Sequence, residues 1–126
     1  MLTIIIPVYN EKRYLRLLLH KVIKIKKIKT QMIVVDDGSN DGSSDILKKE
    51  FSKIKKIDKI IFHKKNLGKG AAIKSAQKFI KGEYVAIQDA DLEYNPKDLV
   101  KIYKKMILKK YKVVYGSRVL NKNKFQ

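Results

Sequence analysis

"LTIIIPV", residues 2–8, is a continuous apolar run rich in β-branched residues, with no alternation of polar and apolar positions. A strand with one wet face alternates; an unbroken run of this kind is expected of a strand covered on both faces. Strands buried on both sides belong to parallel sheets, whose crossovers are usually helices. The rest of the chain supports that reading. "QMIVVDD" (31–37), "DKIIFHK" (58–64), "EYVAIQD" (83–89) and "YKVVYGS" (111–117) read as four further strands.

Helical patterns lie between them. "EKRYLRLLLHKVIKIKK" sets Leu15, Leu18, Leu19, Val22 and Ile23 on one face. The next helix, with Asn40 or Asp41 as a cap, turns Ile46, Leu47, Phe51 and Ile54 inward. "AAIKSAQKFI" carries Ala72, Ile73, Ala76, Phe79 and Ile80 at helical spacing. A last helix starts at Pro96 behind an Asn95 cap, with Leu99, Val100, Tyr103, Met106 and Ile107 inward. Strand and helix in alternation predict a doubly wound, mostly parallel α/β sheet flanked by helices. The 126 residues suit one domain, 1–126, with no repeat and no linker. The tail "NKNKFQ" has no pattern, which leaves the fifth strand without the cover a sheet edge needs; the domain is expected to be truncated after that strand.

Composition excludes several classes. With no cysteine, disulfides and thiolate metal sites are ruled out. No apolar run approaches the roughly 20 residues of a membrane span, and "MLTIIIPVYNEK" lacks a basic n-region and a cleavage site. A cytoplasmic domain is expected. The 30 Lys and Arg against 12 Asp and Glu give a net charge of +18, which suggests a polyanionic partner. Yet only Arg13, Arg16 and Arg118 are arginines, and the lysines spread over every expected helix. A specific phosphate or nucleic-acid reader uses more arginine for bidentate contacts. Solvated lysine faces explain the charge better, and a basic nucleic-acid-binding α/β module is the alternative reading.

The chemistry collects where the strands end. In open parallel sheets ligands bind outside the carboxyl ends of the strands. The first strand leads into Pro7, Tyr9, Asn10 and Glu11, the second into Asp36, Asp37 and Gly38, the fourth into Asp89, Asp91 and Glu93, the fifth into Gly116, Ser117 and Arg118. Crowded carboxylates in a basic chain call for a positive partner. Asp89, Ala90 and Asp91 form a D-x-D pattern, and Glu93 adds a third oxygen donor. Such hard oxygen ligands suit Mg²⁺ or Mn²⁺ bridging to substrate phosphates. The pattern alone is common in surface loops; its place after a buried strand gives it weight. Asp37 is expected to face a ligand, at a ribose or a base edge, while Asp36 either joins it or caps a turn. Tyr9 either stacks on a base or fills the core. "NLGKGAA" (66–72) opens a helix whose free N–H groups suit a phosphate equally well as they suit a plain glycine turn. His20 and His63 lie far apart in the pattern, and no Ser-His-Asp arrangement is evident. An Asp pair used for phosphotransfer would be expected after the first strand, and here it follows the second.

"TIIIPVYNEKRYL", "IVVDDGSNDGS", "NLGKGAA", "AIQDADLEYNP" and "YGSRVL" stand in the order and spacing of family 2 glycosyltransferases of GT-A fold. The sequence most resembles the dolichyl- or polyprenyl-phosphate sugar synthase branch, in its amino-terminal, nucleotide-binding part. The resemblance implies a Rossmann-like GT-A sheet and a nucleotide-diphosphate sugar donor. It implies Pro7, Tyr9, Glu11 and Asp37 around base and ribose, with Asp89, Ala90 and Asp91 at the diphosphate. Asp89, Asp91 and Glu93 would hold the divalent metal, and Arg118 would lie near phosphate. It implies inverting transfer, with a lipid phosphate as acceptor in that branch. The lysine faces suit peripheral association with the anionic cytoplasmic face of a membrane, consistent with such an acceptor. Because the aromatics do not interleave with the basic residues, no nucleic-acid partner is expected. No catalytic base can be assigned, because in many relatives it follows the point where this sequence ends.

Overall fold

The computed structural model describes residues 1–90, 95–109, 113–114 and 118–121. The chain runs β1 (Leu2–Val8), α1 (Lys12–Ile23), β2 (Thr30–Asp36) and α2 (Ser43–Ile46), which continues as a π-helical turn over Leu47–Phe51. Next come β3 (Ile57–Phe62), α3 (Lys69–Gln77), β4 (Tyr84–Ile87), α4 (Pro96–Lys109), β5 (Val113–Val114) and β6 (Arg118–Asn121). The strands form one sheet in the order β3-β2-β1-β4-β6-β5. β1 pairs parallel with both β2 and β4, and β2 pairs parallel with β3.

β1 is an inner strand, and its unbroken apolar run is explained by the layers on either side. Leu2, Ile4, Ile6 and Val8 point to one face, where Leu15, Leu18, Leu19 and Val22 of α1, Phe51, and Leu99 and Tyr103 of α4 pack on them. Ile5 points the other way, with Ile33, Val35 and Val85, under Ala72 and Ala76 of α3. Each strand residue therefore has an apolar neighbour whichever face it takes. Asn95 caps α4 as expected: its side chain accepts the Lys97 N–H at 3.0 Å, with Pro96 in the first turn. Ile107 departs from expectation and stands exposed.

The far side of the sheet also differs. The expected fifth strand, 111–117, is described only at Val113–Val114, and a sixth strand, Arg118–Asn121, lies between it and β4. β6 is antiparallel to both neighbours. Only residues 115–117 separate β5 from β6, too few for a helical crossover, so this pair has to run antiparallel.

At the amino ends of the strands, Gln31 ties the layers together with every hydrogen-bonding position used. Its amide N donates to Asp58 Oδ2 at 2.8 Å and to the Phe79 carbonyl at 2.7 Å. Its Oε1 accepts from Thr3 Oγ1 at 2.7 Å and from the Lys81 N–H at 2.8 Å. Gln31→Leu would leave several of these groups buried without a partner. We expect it to lower stability by about 2–4 kcal/mol in urea unfolding, against well under about 1 kcal/mol for a surface change.

Candidate functional site

Chain order reverses direction across the sheet between β1 and β4, the place where open α/β sheets form a crevice. A cleft of about 300 Å³ lies there. Pro7, Tyr9, Glu11, Asp37, Asp89 and Ala90 all line it, together with Asn66, Gly68 and Lys69. Six of the eight residues expected around a nucleotide sugar thus share one cavity. Asp91 and Glu93 lie outside the described residues. Arg118 opens β6, where its backbone is in register with Ile87, two residues before Asp89.

Each wall has a local cause. The turn after β1 passes through Asn10, whose φ of 52° lets the chain bend sharply before α1. That turn is bound to the loop after β2. The Asn10 N–H donates to Ser39 Oγ at 3.0 Å, and the Asn40 N–H donates to Asn10 Oδ1 at 2.8 Å. Asp41 adds a bond from the Lys12 N–H at 3.1 Å. Tyr9, held on this turn, is 43% exposed and faces the cleft, not the core.

The two aspartates after β2 take different roles. Asp36 is buried, accepts the Ser39 N–H at 3.3 Å and the Ser44 hydroxyl, and is not part of the cleft wall. It fixes the turn. Asp37 lines the cleft, yet it is also almost fully engaged with its own chain. Its Oδ1 accepts the Leu67 N–H at 2.9 Å and His63 Nδ1 at 2.9 Å, and its Oδ2 accepts the Gly68 N–H at 2.8 Å. Two N–H groups of the "NLGKG" turn therefore go to the chain's own carboxylate. Gly38, at φ +71°, makes this approach feasible: a Cβ there would lie 2.4 Å from the Lys65 carbonyl carbon.

These bonds decide the charge of Asp37. Burial pushes its pKa up, but hydrogen bonds from His63 and from the Leu67 and Gly68 N–H groups outweigh that and hold it below the usual carboxylate range. At the end of β4, Asp89 Oδ1 meets Lys69 Nζ of α3 at 2.5 Å, both groups partly exposed. Lys69 is thus one positive partner for the clustered acids, supplied by the chain itself. Among the described residues no group of three or more His, Cys, Asp or Glu side chains is placed to hold a metal. Sequence reasoning missed the Asp37–His63 contact. His63 follows the last residue of β3, at the same rim as the other site residues, and that position was the available signal.

The Glycosyl transferase family 2 model matches residues 3–126. The chain belongs to that family. Undecaprenyl-phosphate 4-deoxy-4-formamido-L-arabinose transferase of Photorhabdus laumondii is 32% identical over 105 residues, 81% of this chain and 32% of the relative. Among solved structures, TarS of S. aureus in complex with UDP-GlcNAc superposes with a TM-score of 0.71 at 26% identity, covering 89% of this chain and 32% of TarS. Mannosyltransferase PcManGT from Pyrobaculum calidifontis in complex with GDP-Man and Mn²⁺ gives 0.72 at 25% identity, covering 83% of this chain and 32% of that one. The GT-A, Rossmann-like fold expected from sequence is therefore shown. The chain spans about half the length of the curated relatives it matches, or less. No helix among the described residues is long and apolar enough to cross a membrane.

The low pKa of Asp37 makes a prediction about acid stability. A carboxyl whose folded pKa is depressed adds stability above its unfolded value, near pH 4, and loses it as pH falls through the lower folded value. Urea unfolding at a series of pH values should therefore show an acid limb below about pH 4 that is shallower in Asp37→Asn than in the wild type.

Proposed function

We propose that this family 2 chain binds the nucleotide-diphosphate sugar donor of an inverting glycosyltransferase in the cleft between β1 and β4. The observation that carries the reading is the convergence of Pro7, Tyr9, Glu11, Asp37, Asp89 and Ala90 on one cavity at the switch point. Asp37 stays anionic, so it can only accept hydrogen bonds. A base that meets it must present an N–H. Uracil and guanine present a ring imino N–H, whereas cytosine and adenine present a bare ring nitrogen at the corresponding position and can offer only an exocyclic amino N–H. UDP-GlcNAc and GDP-Man, the ligands of the two neighbours, both satisfy that condition. Tyr9 offers its exposed ring for stacking, with Pro7 and Glu11 beside it at the base and ribose.

Asp89 lies at the opposite wall, suited to the diphosphate end. Its hard oxygens, with those of Asp91 and Glu93 two and four residues further along the sequence, match the donor set for Mg²⁺ or Mn²⁺, and the neighbour from Pyrobaculum is complexed with Mn²⁺. Such a cation would supply Lewis-acid neutralisation of the departing diphosphate. Lys69 already pairs with Asp89 and adds positive charge at the same wall; Arg118 is expected near the phosphates. In the inverting reaction an acceptor oxygen attacks the anomeric carbon as the bond to the diphosphate oxygen breaks. A polyprenyl or dolichyl phosphate acceptor, consistent with the Photorhabdus relative, brings an oxygen that is already anionic and requires no strong base. Lysine-covered helices would hold the domain at the anionic cytoplasmic face of a membrane where that acceptor resides.

Calorimetric titration of UDP and GDP, with and without Mn²⁺, tests the donor site. The wild type should bind one of them in a Mn²⁺-dependent manner, and Asp89→Ala/Asp91→Ala should weaken it by about tenfold or more. Absence of binding by folded wild type, or binding indifferent to Mn²⁺ and to the double substitution, would overturn the reading.

A further inference from the structure

Asp37 is held from behind by a short relay that the donor-site reading leaves unused. The His63 side chain is only 9% exposed, with Nδ1 2.9 Å from Asp37 Oδ1 and Nε2 2.7 Å from Ser75 Oγ on α3. A carboxylate has no hydrogen to give, so Nδ1 must carry the proton of this bond. The network thereby places a proton on Nδ1, with Nε2 facing the Ser75 hydroxyl. Asp37 and His63 follow the ends of β2 and β3 and Ser75 lies in the last turn of α3, so the relay joins two strand ends to the helix.

The remaining anchors on Asp37 behave differently. The Leu67 and Gly68 N–H groups are backbone donors of one turn, with glycine at φ +101° as the residue before α3. His63 stands on the sheet. Among the described residues it is the one side-chain donor on the carboxylate and shares Oδ1 with the Leu67 N–H, adding a third restraint on rotation of the group. With Oδ1 doubly occupied and Oδ2 singly, about one acceptor position remains on Asp37, on an oxygen of the residue that lines the cleft.

We infer that His63 is a positioning residue which, braced by Ser75, aims the free acceptor of Asp37 into the cleft and so sets the affinity for the base of the nucleotide. This inference rests on the nucleotide reading of the cleft. His63 touches no ligand in this account; it acts through Asp37 on base recognition and leaves the diphosphate end alone. A role confined to folding would weaken every ligand equally.

The test separates these. Binding of UDP, GDP and CDP, and of inorganic pyrophosphate with Mn²⁺, is measured on the wild type and on His63→Leu, His63→Asn and Ser75→Ala. The asparagine amide can place an N–H near the position of Nδ1; leucine offers none. His63→Leu should weaken the tighter of UDP and GDP by about tenfold, narrow its margin over CDP, and leave Mn²⁺–pyrophosphate binding within about twofold. His63→Asn should recover most of that loss, and Ser75→Ala should cost about two- to threefold. If His63→Leu does not fold, the contrast between His63→Asn and Ser75→Ala and the tautomer read from long-range ¹H–¹⁵N spectra of the wild type still decide. Equal loss of nucleotide and pyrophosphate, unchanged nucleotide affinity, or a proton on Nε2 alone would overturn the inference. A wild type that binds no nucleotide would instead overturn the donor-site reading on which it stands.

Discussion

The carboxylate of Asp37 is the constraint on which the shape of the cleft depends. It takes the Leu67 and Gly68 N–H groups and the imidazole of His63, and so binds the end of β2 to the end of β3 and the start of α3. Those N–H groups lie at the entry of a helix, where backbone donors lack an intrahelical carbonyl; the Gly68 N–H also reaches Asn66 Oδ1 at 3.0 Å. An anion placed there satisfies them and is itself stabilised, which is why Asp37 stays charged despite its burial. The arrangement tolerates no side chain at Gly38, because the Lys65–Asn66 backbone passes within contact distance of where a Cβ would be. Glycine at that position is a steric requirement of the anchored turn.

The rest of the site follows from the sheet. β1 can lie inside a parallel sheet only because both of its faces are apolar, and that position brings the turn carrying Tyr9 and Glu11 against the turns after β2 and β4. Acidic residues from separate strands then meet across one cavity in a chain of net charge +18. Their repulsion is managed locally: Asp36 by hydroxyl and backbone donors, Asp37 by the anchored turn, Asp89 by Lys69. The cleft therefore presents carboxylates at two walls with different neighbours, a fixed acceptor at one and a partly exposed, ion-paired group at the other. That asymmetry suits a ligand with a hydrogen-bonding base at one end and a metal-bound diphosphate at the other.

What was legible in the sequence was whatever depends on local pattern. The β-branched run at 2–8 and the apolar spacing of Leu15, Leu18, Leu19 and Val22 fixed strand, helix and the layered arrangement, and the strand ends pointed to residues that share one cavity. Contacts formed only by folding were not legible. Asp37 and His63 are 26 residues apart and His63 and Ser75 are 12 apart, with no periodicity linking them. The roles of Asp36 and Asp37 could not be separated from a bare Asp-Asp-Gly, since the difference lies in which side chain meets the turn at 66–68. β6 went unseen because pairing between β4 and β5 is a property of the sheet, and its four residues carry little pattern of their own. Ile107 fits the helical stripe of α4 by spacing, yet its side chain stands exposed, which spacing alone does not reveal.

The central claim is that one cleft holds a base at Asp37 and a metal-bound diphosphate at Asp89. Paramagnetic broadening by Mn²⁺ in ¹H–¹⁵N spectra of the chain, recorded with and without UDP or GDP, tests it most directly. The account predicts nucleotide-enhanced broadening at Asp89, Lys69 and Gly68, with Gln31 and Lys81 at the opposite ends of the strands unaffected. Broadening confined to exposed acids such as Glu50 and Asp58, with the cleft amides unchanged, would contradict it.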